Sequence, residues 1–174
     1  MVPGRVHRVR GQSPDGLGGL SRPGWFFARL AAHVTNDRML TTPLGAPATH
    51  KGPPLYTGGA LVVLTWDTMI REATHGQRGV GDVLRALLRN TDDGARPYAW
   101  SDIQAALESV APGDWAEFHR RCIHGTEPLP LAEAFARVGL RMSQGDVGAM
   151  RIEPDPSASE PAQVRRRVIV GASR

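Results

Sequence analysis

At 174 residues the chain is long enough for one ordinary domain, and its 41% apolar and 22% charged residues exclude a wholly disordered or fibrous polypeptide. The net charge of +4 comes almost entirely from arginine, since Lys51 is the only lysine. A lone Cys122 excludes an intrachain disulfide.

The 20 glycines and 14 prolines gather in residues 1–24, 43–59 and 143–161, which marks those stretches as loop-rich. Arg5, Arg8 and Arg10 are followed by no apolar segment of the secretory type. The longest apolar run, residues 60–64, is far too short to span a bilayer. A cytoplasmic protein with no membrane partner is expected. Apart from Arg165-Arg166-Arg167 the arginines are scattered, which argues for solubility rather than for a nucleic-acid surface.

Taken in order, residues 1–22 read as an irregular segment. A short amphipathic helix carrying Trp25, Phe26, Leu30 and His33 follows Pro23, a residue suited to a first helical turn. Residues 57–74 contain no proline and are apolar on every side, which predicts a helix buried over most of its surface and ended by Gly76. Asp67 on that helix stands four residues before Arg71, the spacing of an ion pair. The alternative for Asp67 is a carboxylate that binds a substrate amine.

Val80, Val83, Leu84, Leu87 and Leu88 give the next helix one apolar face. Ser101 and Gln104 form a capping box for a fourth helix. Asp114 opens a fifth, which runs through Phe118 and Cys122 towards Gly125. A last helix spans residues 131–138 and stops at Gly139. Past Met142 the periodicity fades into a weakly structured tail, residues 143–174, in which residues 168–170 suit a strand. These elements predict an all-α helical bundle over residues 23–142.

Two segments are the most specific. The first is Tyr56-Thr57-Gly58-Gly59, opening the long apolar helix with Asp67 and Gly76 beyond it. The second is Gly125-Thr126-Glu127-Pro128-Leu129-Pro130, preceded by the helix with Phe118. In this order and spacing, residues 55–140 resemble the C-terminal half of the catalytic domain of glycyl aminopeptidase-like zinc metallopeptidases (family sixty-one, in the thermolysin-like clan). The first motif there is Tyr-x-Lys-Gly; here Gly58 stands in place of the lysine.

The resemblance implies that Tyr56 occupies the position of the catalytic tyrosine, whose phenol donates to the oxyanion of the tetrahedral intermediate. A phenol with a pKa of about 10 is still protonated at neutral pH. Losing one such donor typically costs about 10²–10³ in rate. The resemblance also implies a zinc ion held by a His-Glu-x-x-His helix and a glutamate on the next helix. His-Glu-x-x-His does not occur in this chain.

Glu117, His119, Cys122 and His124 are local and of ligand type. On an α-helix, however, their spacings do not converge on one face, so no metal ligand and no cofactor is expected within the chain. The expectation is therefore a peptidase-like helical part that is inactive alone. A separate chain carrying the zinc-binding half is the partner implied, with peptide substrate following only from that complementation.

Overall fold

The computed structural model describes residues 23–37, 53–145 and 148–171, with the backbone alone at 23–25, 36–37 and 53–56. The architecture is mostly helical. Helices α1 (Pro23–Asp37), α2 (Pro53–Ala73), α3 (Val80–Asn90), α4 (Trp100–Val110) and α5 (Trp115–Phe118) come first. A π-helical turn (His119–His124), helix α6 (Leu131–Arg137), strands β1 (Leu140–Gln144) and β2 (Met150–Pro154), and helix α7 (Glu160–Val170) complete the chain. Among the described residues no helix is long and apolar enough to cross a membrane.

α2 is the organising element. It begins at Pro53 rather than at Thr57, because prolines fit a first turn whose N–H groups have no intrahelical acceptor. Two apolar clusters lie against it. One joins Leu30 and Val34 of α1 to Leu61, Val62, Phe135 and the hairpin residues Leu140, Met150 and Ile152. The other joins Ile70 to Val83, Leu107 and Trp115. Trp66 and Met69 pack against both clusters. Two buried threonines are satisfied on their own helix, Thr65 donating to the Leu61 carbonyl and Thr68 to that of Thr65, each at 2.8 Å.

The expectation of an all-α chain needs correcting at a small antiparallel sheet, in which Leu140 pairs with Pro154 and Gln144 with Met150. Leu140, Met150 and Ile152 enter the core while Arg141 and Glu153 pair across the ladder with Nε–Oε1 at 2.8 Å. Each strand has only five residues, so alternation is too brief to stand out in the sequence. The Met150 N–H donates to the Thr35 hydroxyl at 2.9 Å and ties β2 to α1.

The weakly structured tail is likewise corrected. Residues 168–170 are the end of α7 and not a strand: the helix starts with Pro161 in its first turn and closes at Gly171 in the left-handed region (φ 70°). The irregular segment expected at residues 1–22 lies outside the described residues.

The fourth helix also starts differently. Its first residue is Trp100, and the carboxylate that caps it is Asp102, which accepts from the Ala99 N–H at 2.8 Å. Gln104 instead donates to Glu108 at 2.8 Å. Arg96 reaches Asp102 at 2.7 Å and, with the Ala99 N–H, holds its carboxyl down to about 2. A depressed carboxylate stabilises the fold above its unfolded pKa of about 4 and loses that contribution as pH falls towards the folded value. Urea midpoints taken from about pH 5 to about pH 2 are therefore expected to fall less steeply in Asp102→Asn than in the parent.

Candidate functional site

The candidate site is built around α2, whose two ends differ. Towards its C-terminus Asp67 is 7% exposed and accepts two hydrogen bonds. Arg71 Nε donates to Oδ2 at 2.7 Å, and the Val80 N–H donates to Oδ1 at 2.8 Å. The i,i+4 ion pair is thus present, and the second bond carries the carboxylate across to the first residue of α3. An anion there suits the unpaired N–H groups of a helix start. Asp82 completes the joint by accepting from the Gly79 N–H at 2.9 Å. With both oxygens engaged and the side chain buried, Asp67 joins helices rather than offering a free carboxylate to an amine.

Gly79 is required by close approach and not by its dihedrals, since its φ of −156° is ordinary extended backbone. A Cβ at this position would lie 2.6 Å from Asp67 Oδ1 and 2.5 Å from Arg71 Nη2. Gly76 differs in adopting φ 83°, which turns the chain out of α2 as the sequence suggests.

The N-terminal half of α2 is open on one side. Tyr56 stands in its first turns by backbone position; its side chain lies outside the described residues. One and two turns further along the same helical face are Ala60, which is exposed, and Val63, which is 43% exposed. Neighbouring Gly59 has nothing within 4 Å of where a Cβ would be. Opposite this open strip, Leu61, Val62 and Thr65 are buried.

The second motif follows a change of helical geometry. α5 starts at Asp114, whose Oδ1 accepts from the Glu117 N–H at 3.0 Å. The chain then widens into the π-turn, where the Gly125 N–H reaches back five residues to the Arg120 carbonyl at 3.0 Å. Gly125 is needed because a Cβ there would collide with the Arg121 carbonyl oxygen. Beyond it, Leu129 and Leu131 are buried and set the start of α6.

Glu127 is taken up by Arg121, whose Nε lies 2.7 Å from Oε2, and that bond holds its carboxyl below the usual range. Glu117 is held down in the same way by Arg120, with Nε–Oε2 at 2.7 Å. Burial pushes the Cys122 thiol up, away from the thiolate a metal would need.

The π-turn brings together two residues that α-geometry separates. In an α-helix, residues five apart point about 140° from one another; here the rings of His119 and His124 have centroids 4.7 Å apart, edge to face. His119 also stacks on Trp100 of α4, with centroids 3.6 Å apart and planes 10° from parallel. Trp66 lies behind Trp100, with centroids 6.2 Å apart. No periodicity signals a π-turn, so the sequence offers no sign of this group. Among the described residues, no three or more His, Cys, Asp or Glu side chains form a group that could hold a metal ion. These residues do not fit the zinc site that the family resemblance implies.

The arginine run is also accounted for in part. Arg165 Nε donates to the Arg137 carbonyl at 2.7 Å, and Arg166 Nη1 donates to the Gly139 carbonyl. Both guanidinium groups satisfy carbonyls at the end of α6, which removes two members of the run from any phosphate-binding surface.

No family model, no curated protein and no solved structure matches the chain.

The close packing at Gly79 gives a direct test of the Asp67 joint. Gly79→Ala is expected to lower stability by about 1–3 kcal/mol, the usual cost of overpacking, seen as a lower urea midpoint with an unchanged m-value. Gly81, which has open space at its Cβ position, is the control: Gly81→Ala should be neutral or stabilising.

Proposed function

We propose that residues 55–140 are the helical part of a catalytic domain like that of the glycyl aminopeptidase-like metallopeptidases. In this proposal the helices resemble the C-terminal subdomain of a thermolysin-like fold, and α2 forms one wall of the peptide cleft. The observation that supports it most directly is the open face of α2. A helix buried elsewhere by two apolar clusters leaves one strip uncovered, and that strip runs in register with Tyr56. The small residues Gly59 and Ala60 there leave room for a second surface to approach closely.

Tyr56 takes the role of oxyanion donor in this proposal, and zinc and the activated water belong to residues outside this chain. His-Glu-x-x-His does not occur in these 174 residues, so the chain alone is assigned no peptide hydrolysis. A second function, favoured by the same open strip, is that of a non-catalytic binding module that pairs with a separate zinc-bearing chain. An exposed apolar surface at such a cut is what pairing would cover.

One experiment addresses both. Aminopeptidase turnover is measured on glycyl and alanyl amides with added zinc, first with this chain alone and then with a chain carrying His-Glu-x-x-His. No turnover is expected in the first arm, and zinc-dependent turnover that Tyr56→Phe lowers by about 10²–10³ in the second supports pairing. Turnover by the chain alone, abolished by Tyr56→Phe, contradicts the assignment.

A further inference from the structure

The stacked group at the π-turn has a consequence that does not depend on peptidase function. Trp100 is the first residue of α4, and His119 and His124 are the ends of the π-turn, so the stack ties the start of one element to the whole of another. Trp66 contributes ring packing only, and its indole N–H is buried with no acceptor. The aromatic group is thus held by contact between faces and edges, with no described hydrogen bond from the Trp66 indole to lock it.

Two effects oppose each other when His119 takes up a proton. An imidazolium stacked on an indole face gains cation–π attraction. Against this, the ring is partly buried, and a second imidazole lies 4.7 Å from it. Burial first, and the nearby His124 second, hold the His119 pKa below the ordinary histidine value, so the opposing effects win.

Among the described residues, the neighbouring acidic groups are each bound to an arginine. From α4 the stack presents only the Trp100 ring, and Asp102 is bound to Arg96. From α2 comes the Trp66 ring, and Asp67 is bound to Arg71. Within the turn and its flanks, Glu117 is bound to Arg120 and Glu127 to Arg121.

We propose that Trp100, His119 and His124 form a proton-operated latch. With the His119 imidazole neutral, the stack holds the π-turn against α4. A proton on His119 puts a charge into the partly buried stack beside the His124 ring, which loosens the rings and frees the turn, together with the Gly125-Thr126-Glu127 segment that follows it. A ring that resists protonation in the folded state stabilises the closed arrangement above its unfolded pKa of about 6.5, and that contribution is lost as pH falls below it.

Amide hydrogen exchange of the full chain, corrected for intrinsic rates, tests the latch from about pH 8 to about pH 5, the interval in which histidine titrates. The expected result is a reversible loss of protection at residues 119–127, about tenfold for each unit by which the His119 pKa is depressed, while α3 stays protected. His124→Gln, at an exposed position, leaves the core untouched and is expected to reduce that loss, because burial of His119 remains. A side-chain NMR titration gives the second reading, with the His119 midpoint below the ordinary value and shifted upward in His124→Gln. Protection at residues 119–127 that does not change with pH, a loss undiminished in His124→Gln, or a His119 midpoint at or above the ordinary value would each overturn the proposal.

Discussion

A single buried carboxylate sets the geometry on which the other elements depend. Asp67 is held inside the protein, where an unpartnered charge would be costly, and it is tolerated because Arg71 and the Val80 N–H both donate to it. Those two bonds fix where α2 ends and where α3 begins. They also leave no room for a side chain at Gly79. Once α3 is placed, Val83 and Ala86 close the second apolar cluster over Ile70, Leu107 and Trp115. Stability at this end of α2 therefore comes from an ion pair, a helix start and a core that reinforce one another.

The other end of α2 lacks such closure on one side. Ala60 and Val63 are exposed while Leu61 and Val62, their immediate neighbours, are buried. The helix is thus tied at one end through Asp67 and exposed at Ala60 and Val63 towards the other. Several of the described arginines are engaged within the fold. Arg71, Arg96, Arg121 and Arg137 pair with acidic side chains, and Arg165 and Arg166 satisfy carbonyls at the end of α6. The +4 net charge is accordingly a poor guide to a nucleic-acid partner.

Much of the central fold was legible because it is local. Apolar periodicity and the glycine stop mark α2, the 80–83–87 face marks α3, and the i,i+4 spacing gives the Asp67–Arg71 pair. The Val80 contact to Asp67 was not legible, since it joins positions thirteen residues apart through tertiary packing. A competing cap shifts the frame of α4: Ser101 suits an N-cap, but Asp102 accepts from the Ala99 N–H while pairing with Arg96, which moves the cap two residues earlier, to Ala99.

The hairpin is not legible because two five-residue strands show too little alternation, and α7 is concealed because Val168, Ile169 and Val170 favour strands until the helix before them is considered. The His119–His124 pair escaped notice for a different reason. Its ring contact exists in π-geometry, whereas the same spacing on an α-helix points the two rings about 140° apart.

The proposed role of Tyr56 as an oxyanion donor requires an accessible phenol, and one chemical measurement tests that. The chain has two tyrosines, and Tyr98, 62% exposed, serves as the internal reference. The native protein is treated with tetranitromethane and the modification of each tyrosine is followed by peptide mass spectrometry. Nitration of Tyr56 at a rate comparable to Tyr98 is the predicted result. A Tyr56 that stays unmodified until the protein is unfolded would place its ring in the interior and contradict the account.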